Sequence, residues 1–421
     1  MKSQPRQTRR HFLGHSLATA TLLAAPRLHA APSAKIVVIG GGPGGATLAR
    51  LLNHAGLQTT LVEPNAVYHT CFSSNLALGG LMEFADLAFT YDALRTEGVT
   101  IKPARAIGVD RAAKTVRLEG CETLAYDHLA LSPGVDFING AVPGWSMADA
   151  QIMPHAYLAG EQAALLRDQI DAMPQGGTFA MIAPPNPYRC PPAPYERVSM
   201  IAHRLTQTNP TAKILILDPK DHFSKQTLFE NAWGKYYNGM VTWFGPDFGA
   251  QDVAVRPATM EVLIEGEAQR VDVCNVIPAQ QAGAIAHLAG VVDETGWAPI
   301  DPFTFFSRID PQITVLGDAC AQGDMPKSAF AAHGQAFAAS NAIRTRFTGT
   351  SSKPQMFSNT CWSFLAPDDA VKITESFHPT PEKITTDSTF ISAPDETPQT
   401  RKATAVEGAD WFSGLTQNIF E

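Results

Sequence analysis

Short apolar runs broken by glycine and proline dominate this chain, rather than long amphipathic stretches. Residues 35–39 (KIVVI) are β-branched and apolar, which predicts a buried strand. The run passes directly into a glycine turn over 40–45 and then into a helical segment over 46–55. A second strand is predicted over 58–62. A similar alternation returns further on, with helix over 160–173, strand over 178–183, helix over 196–206 and strand over 213–217. Residues 129–134 read as a short return strand, 313–319 as a strand ending in Gly-Asp, and 329–347 as a helix. Strands alternating with helices predict an α/β fold built on parallel sheets.

The first turn carries specific chemistry. Gly40, Gly42 and Gly45 stand in GxGxxG register between a strand and a helix, and Glu63 follows at the end of the next strand. In that context the glycines let backbone approach a pyrophosphate, the helix N-terminus stabilises its charge, and the acid accepts from ribose hydroxyls. A glycine-rich turn alone is common; the strand, helix and acid together are not. The segment Gly317-Asp318 resembles the second FAD fingerprint of flavoproteins with two dinucleotide domains, where the Asp accepts from the ribityl chain. Asp318 as a helix N-cap is the plainer reading, and the two are compatible. At the corresponding turn after residues 178–183 stand Pro184, Pro185, Pro187, Pro191 and Pro192. Proline fixes φ and lacks an N–H donor, so this turn cannot cradle a phosphate. The second dinucleotide fold is expected to have lost its nicotinamide grip.

Composition narrows the classes further. The chain has 421 residues, enough for two or three domains. With 45% hydrophobic residues it can bury a core, which excludes a disordered chain. A net charge of -8 argues against a nucleic-acid binder. The six cysteines form no CxxC pair, so neither a zinc ribbon nor a c-type haem site is expected, and His69, His155 and His333 lack metal-ligand spacing. At the N-terminus, Arg9 and Arg10 before Phe12-Leu13 read as a twin-arginine export motif, with cleavage near Ala30 and a periplasmic destination. Residues 1–30 carry five basic and no acidic residues, so their removal takes the charge from -8 to -13. No later segment offers about twenty uninterrupted apolar residues, and no membrane span is expected.

Three cysteine segments coincide with one family. They are Cys71 in YHTCFSSN, Cys190 in CPPAPYER and Cys361 in NTCWS. From about residue 34 to the Trp411-Phe412 region the chain resembles the flavoprotein subunit of flavocytochrome c sulfide dehydrogenase. The resemblance implies two Rossmann-like, glutathione-reductase-like domains plus a C-terminal domain covering the flavin. Expected bounds are 1–30 for the signal, 34–144 and 273–348 for the two halves of the FAD domain, 145–272 for the central domain and 352–421 for the last. It also implies FAD joined through a thioether at Cys71, a redox-active disulfide between Cys190 and Cys361, Glu196 beside it, Lys327 in the segment beside the flavin, and a c-type cytochrome subunit as partner. Hydrosulfide attacks disulfide sulfur, and a partly buried Glu196 suits proton transfer. Glu196 as a helix-start carboxylate remains equally open on spacing alone. Cys121, Cys274 and Cys320 are expected to be small packed residues. Other readings are a sulfide:quinone reductase-like enzyme, an NAD(P)H-dependent reductase, and a non-catalytic flavoprotein accessory subunit of a sulfur-oxidation complex. The charged tail (Asp387, Asp395, Glu396, Arg401, Lys402) fits the first of these poorly. The missing glycine loop disfavours the second.

Overall fold

The structure, a computed structural model, describes residues 34–158, 160–349 and 355–421. The twin-arginine segment lies outside the described residues.

A five-stranded parallel sheet organises the first domain. Lys35–Ile39 sits at its centre, flanked by Gln58–Val62 and His128–Leu131, with Thr100–Lys102 and Ile313–Val315 at the edges. Four of the five residues of Lys35–Ile39 are buried, as expected for a parallel strand covered on both faces. The helices Pro43–His54 and Ala329–Thr348 pack against each other beside it. Gly40 adopts φ +100, and a Cβ there would meet Ser132 O at 2.2 Å; a Cβ on Gly45 would meet Gly40 O at 1.9 Å. Only glycine allows the strand to turn this tightly into the helix.

The central domain repeats the plan with four parallel strands in the order Val241–Phe244, Lys213–Leu217, Thr178–Ile182, Val273–Val276. Its last strand continues the central sheet past the expected boundary at residue 272. The chain then returns to the first domain through Ile313–Val315. Beyond it, Phe357–Ala366, Asp369–Pro379 and Ile384–Ile391 form an antiparallel sheet, followed by the helix Pro398–Phe420. The polar stretch around 380–404 thus becomes an exposed strand and a capped helix start, with the Thr397 hydroxyl accepting from Thr400 N. At the far end of that helix Phe420 stacks on Tyr68 and Phe89, with ring centres 5.1 and 5.2 Å apart.

Three local expectations need correction. The strand predicted to run through 319 ends at Val315, and Gly317–Ala319 is a 3-10 turn. The cap of the following helix is Ser328, whose hydroxyl accepts from Ala331 N, and not Asp318. Cys121 is exposed rather than packed. It follows Gly120 in the turn joining Thr115–Leu118 to Thr123–Ala125, and both turn residues have left-handed φ. A side chain at such a tip has no core to enter. Cys274 and Cys320 are buried, as expected. Among the described residues no helix is long and apolar enough to cross a membrane.

Candidate active site

Cys71, Cys190, Glu196 and Cys361 line one cavity, although they come from three different parts of the chain. Cys71 lies just before the short helix Ser74–Gly79. Cys190 sits in the proline-rich loop of the central domain, in a left-handed conformation (φ +55) that leads into the helix Ala193–Thr208. The loop is tied down from the neighbouring domain, because Cys190 N donates to Lys327 O at 2.7 Å. Cys361 is buried on the strand Phe357–Ala366. Four non-glycine residues with positive φ lie at the site: Ser73, Ala156, Cys190 and Lys225. Such conformations cost about 1–3 kcal/mol each and persist only where the surroundings enforce them.

Cys190 and Cys361 meet as free thiols joined by a hydrogen bond. The bond pushes the two thiols apart in acidity. Cys190, as donor and deeply buried, is raised well above an ordinary thiol. Cys361 is lowered by accepting from Cys190, and further by the Lys225 ammonium and by Asn359, whose Nδ2 donates to Cys361 Sγ at 3.3 Å. Asn359 is itself fixed by Ser328 Oγ, 2.6 Å from its Oδ1.

Glu196 is a helix-start residue, in the first turn of Ala193–Thr208, that also lines the cavity. Its carboxylate accepts from Phe364 N at 2.9 Å and from Asn75 Nδ2 at 2.7 Å. Burial raises its pKa, while those two bonds and the nearby Lys225 and Arg197 cations pull it back. Sequence reasoning missed Arg197, which is 2% exposed and donates to Asn75, Asn275, His155 O and Ala156 O. It also missed Lys225, whose backbone is left-handed and whose ammonium donates to Cys361 O at 2.9 Å. Lys225 carries no sequence signal beyond its charge, whereas Arg197 closes the CPPAPYER segment that holds Glu196.

The residues expected to hold a dinucleotide fit one. Glu63 accepts from Gly41 N at 2.9 Å and from Asn65, and so lies at the turn. Packing demands glycine at 40 and 45, but a Cβ on Gly42 would meet only Tyr68 Oη at 3.6 Å, an ordinary contact. Its bareness leaves space over a helix N-terminus that no side chain caps, which suits a pyrophosphate. Asp318 is buried with the Arg189 guanidinium 3.9 Å away; burial raises its pKa, and Arg189 and Lys327 oppose the rise. Lys327 Nζ donates to Asp318 O and Cys320 O at 2.8 Å, so it braces the turn that presents Asp318. One wall of the cavity is aromatic, with Trp362 and Trp411 stacked at 5.2 Å beside Phe72 and Phe330. Among the described residues the buried Trp362 Nε1 has no partner, a donor left for a ring with acceptor edges.

The second dinucleotide fold looks different. Asp218, at the end of Lys213–Leu217, stands where Glu63 stands in the first. It is fully buried and accepts from Tyr195 Oη at 2.5 Å and Trp243 Nε1 at 3.1 Å, and Lys220 lies 2.6 Å away. Tyr195 stacks on Phe223 with ring centres 3.6 Å apart. Protein side chains therefore fill the place of a ribose.

Comparison with known proteins finds three matching family models. A pyridine nucleotide-disulphide oxidoreductase model matches residues 34–163. The central-domain model of the sulfide dehydrogenase (flavocytochrome c) flavoprotein chain matches 163–278, and the flavin-binding model of flavocytochrome c sulphide dehydrogenase matches 353–420. Among solved structures, the sulfide:quinone oxidoreductase of Aquifex aeolicus is 18% identical, covers 92% of this chain and 91% of its own, and has a TM-score of 0.65. The putidaredoxin reductase–putidaredoxin complex is 15% identical over 92% and 98%, also at 0.65. An NAD-dependent persulfide reductase from A. fulgidus is 15% identical over 89% and 77%, at 0.60. At these identities the likeness is one of fold.

Fold and site together define a flavoprotein oxidoreductase that uses FAD. Within that class, two of the three matching models are those of the flavocytochrome c sulfide dehydrogenase flavoprotein chain, over residues 163–278 and 353–420.

Proposed function

We propose that this chain oxidises hydrogen sulfide to sulfur or polysulfide through Cys190 and Cys361, and passes the electrons by way of FAD to a c-type cytochrome subunit in the periplasm. The observation that carries the reading is the meeting of Cys71, Cys190, Cys361 and Glu196 in one cavity. In the oxidised chain the two facing cysteines are joined as a disulfide. Hydrosulfide attacks Cys190 Sγ, forming a new S–S bond, and the Cys190–Cys361 bond breaks. The electron pair of the broken bond stays on Cys361 as a thiolate, and Cys190 carries the persulfide. Glu196 accepts the proton that hydrogen sulfide loses, a role its raised pKa suits. Bound FAD supplies a two-electron oxidant that can release electrons singly to a haem acceptor.

Gly40, Gly42, Gly45 and Glu63 hold the ADP half of that cofactor, Asp318 and Lys327 the ribityl region, and Cys71 carries a thioether to the flavin. The cytochrome partner is supported by the family, and periplasmic export by Arg9 and Arg10. The proline loop and the filled place beside Asp218 speak against a nicotinamide donor. Cys190→Ser and Cys361→Ser, mixed anaerobically with sulfide in a stopped-flow spectrometer, test the reading. Each should lose sulfide-driven flavin reduction while dithionite still bleaches the flavin. Near-normal turnover in both would make the pair a structural staple.

A further inference from the structure

Lys225 is 91% buried, yet the family reading gives it no role. It precedes the helix Gln226–Tyr236 with a left-handed backbone at φ +62, a conformation unfavourable for any residue with a Cβ. Its ammonium donates to Cys361 O at 2.9 Å and to Ser363 Oγ at 2.8 Å, and so grips the strand on both sides of Trp362. Lysine has three N–H donors. Among the described residues the third has no hydrogen-bond partner, and no carboxylate lies within ion-pair distance. A buried cation is costly unless a counter-charge is close. The charged and titratable groups that face it are Cys361, Glu196, Cys190 and, on the neighbouring strand, Glu375. Glu196 already accepts from Phe364 N and Asn75, and Asn359 and Lys225 are the donors directed at the Cys361 segment.

We infer that Lys225 is a positioning residue that sets the direction in which the cysteine pair opens, with Cys361 leaving as the thiolate and Cys190 taking the sulfur. This rests on the sulfide-oxidising reading above. When the Cys190–Cys361 bond breaks, its electron pair can settle on either sulfur, depending on which one is attacked. An ammonium anchored to the Cys361 backbone stabilises negative charge there and supplies the counter-charge its own burial demands. No oxidant beyond the disulfide itself enters this step. Burial lowers Lys225 and Cys361, Glu196 and Cys190 oppose the fall, leaving it at about 8, so the ammonium is the main form at neutral pH.

The test measures the reduced protein with flavin bound. Alkylation of Cys361 is followed against pH by peptide mass spectrometry in the wild type, Lys225→Met and Lys225→Arg. The wild-type midpoint should lie below that of an ordinary thiol, near 8.5. Lys225→Met should raise it by about one pH unit or more, and Lys225→Arg should restore much of the difference. Sulfide-driven flavin reduction at neutral pH should fall about tenfold in Lys225→Met, since a one-unit pKa change is a tenfold change in ionised fraction. It should recover as the pH rises, with dithionite bleaching unchanged. An ordinary wild-type midpoint overturns the inference without any variant, as does an unshifted midpoint in Lys225→Met. Either result, with Cys190→Ser and Cys361→Ser still inactive, removes only the role of Lys225. Activity retained by both cysteine variants removes the parent reading instead.

Discussion

Cys71 lines the cavity with Phe72, Ser73 and Ser74 and is only partly buried. A cysteine there is therefore explained better by chemistry than by packing. Cys71→Ser should fold and still bind FAD, but release it into the supernatant on trichloroacetic acid precipitation, whereas the wild type should retain it. Equal release from both would exclude the thioether. Glu196 makes a separate prediction. Its active form as a proton acceptor is the carboxylate, so the rate should fall as acid protonates it. Because burial raises its pKa, the fall should begin at higher pH than for an exposed carboxylate. With rates expressed against the concentration of undissociated hydrogen sulfide, Glu196→Gln should lose this acid limb and slow flavin reduction by about a hundredfold. An unchanged profile would reduce Glu196 to a helix-start carboxylate. The three cysteines and Glu196 were visible in the sequence because each sits in a short ordered motif. The parts played by Lys225 and by Arg197, although Arg197 closes the same motif as Glu196, were not, because they come from burial beside groups far away in the chain.

At the scale of elements, the two dinucleotide folds share a frame and differ at their turns. In the first, Gly40 and Gly45 permit close approach of helix and strand. In the second, prolines replace the phosphate turn, and Tyr195, Trp243 and Lys220 occupy Asp218. NADH and NADPH should accordingly fail to bleach the flavin under anaerobic conditions. Rapid bleaching would show that a nicotinamide site survives. The loss of the glycine loop was legible, since proline constrains backbone locally. The filling of the ribose position was not, because it needs side chains from a helix and a neighbouring strand to converge. Local chemistry also explains the differences at Asp318 and Cys121. A strand's apolar run gives no signal for where a 3-10 turn begins, and a turn cysteine reads alike whether it points inward or out. Gly45→Ala should abolish FAD binding or folding, because a Cβ there would lie 1.9 Å from Gly40 O. An FAD content equal to that of the wild type would contradict that geometry.

Across the whole molecule, the site exists only because three regions meet: the first domain supplies Cys71, the central domain Cys190, Glu196 and Lys225, and the C-terminal sheet Cys361. The helix Pro398–Phe420 then closes back on the first domain through Phe420. On the proposed periplasmic reading, in which residues 1–30 are removed, the chain carries -13, a charge suited to steering a basic cytochrome face. Association with such a cytochrome should slow as salt rises, because screening shortens the reach of exposed charges. Salt-independent rates would leave the charge a matter of solubility. The most direct test of the central chemistry is to mix oxidised protein with sulfide anaerobically, quench it within the first turnover, block free thiols and map sulfur by peptide mass spectrometry. One extra sulfur atom on Cys190, with Cys361 recovered as a blocked thiol, is the expected result. Full flavin reduction with no added sulfur on either cysteine would contradict it.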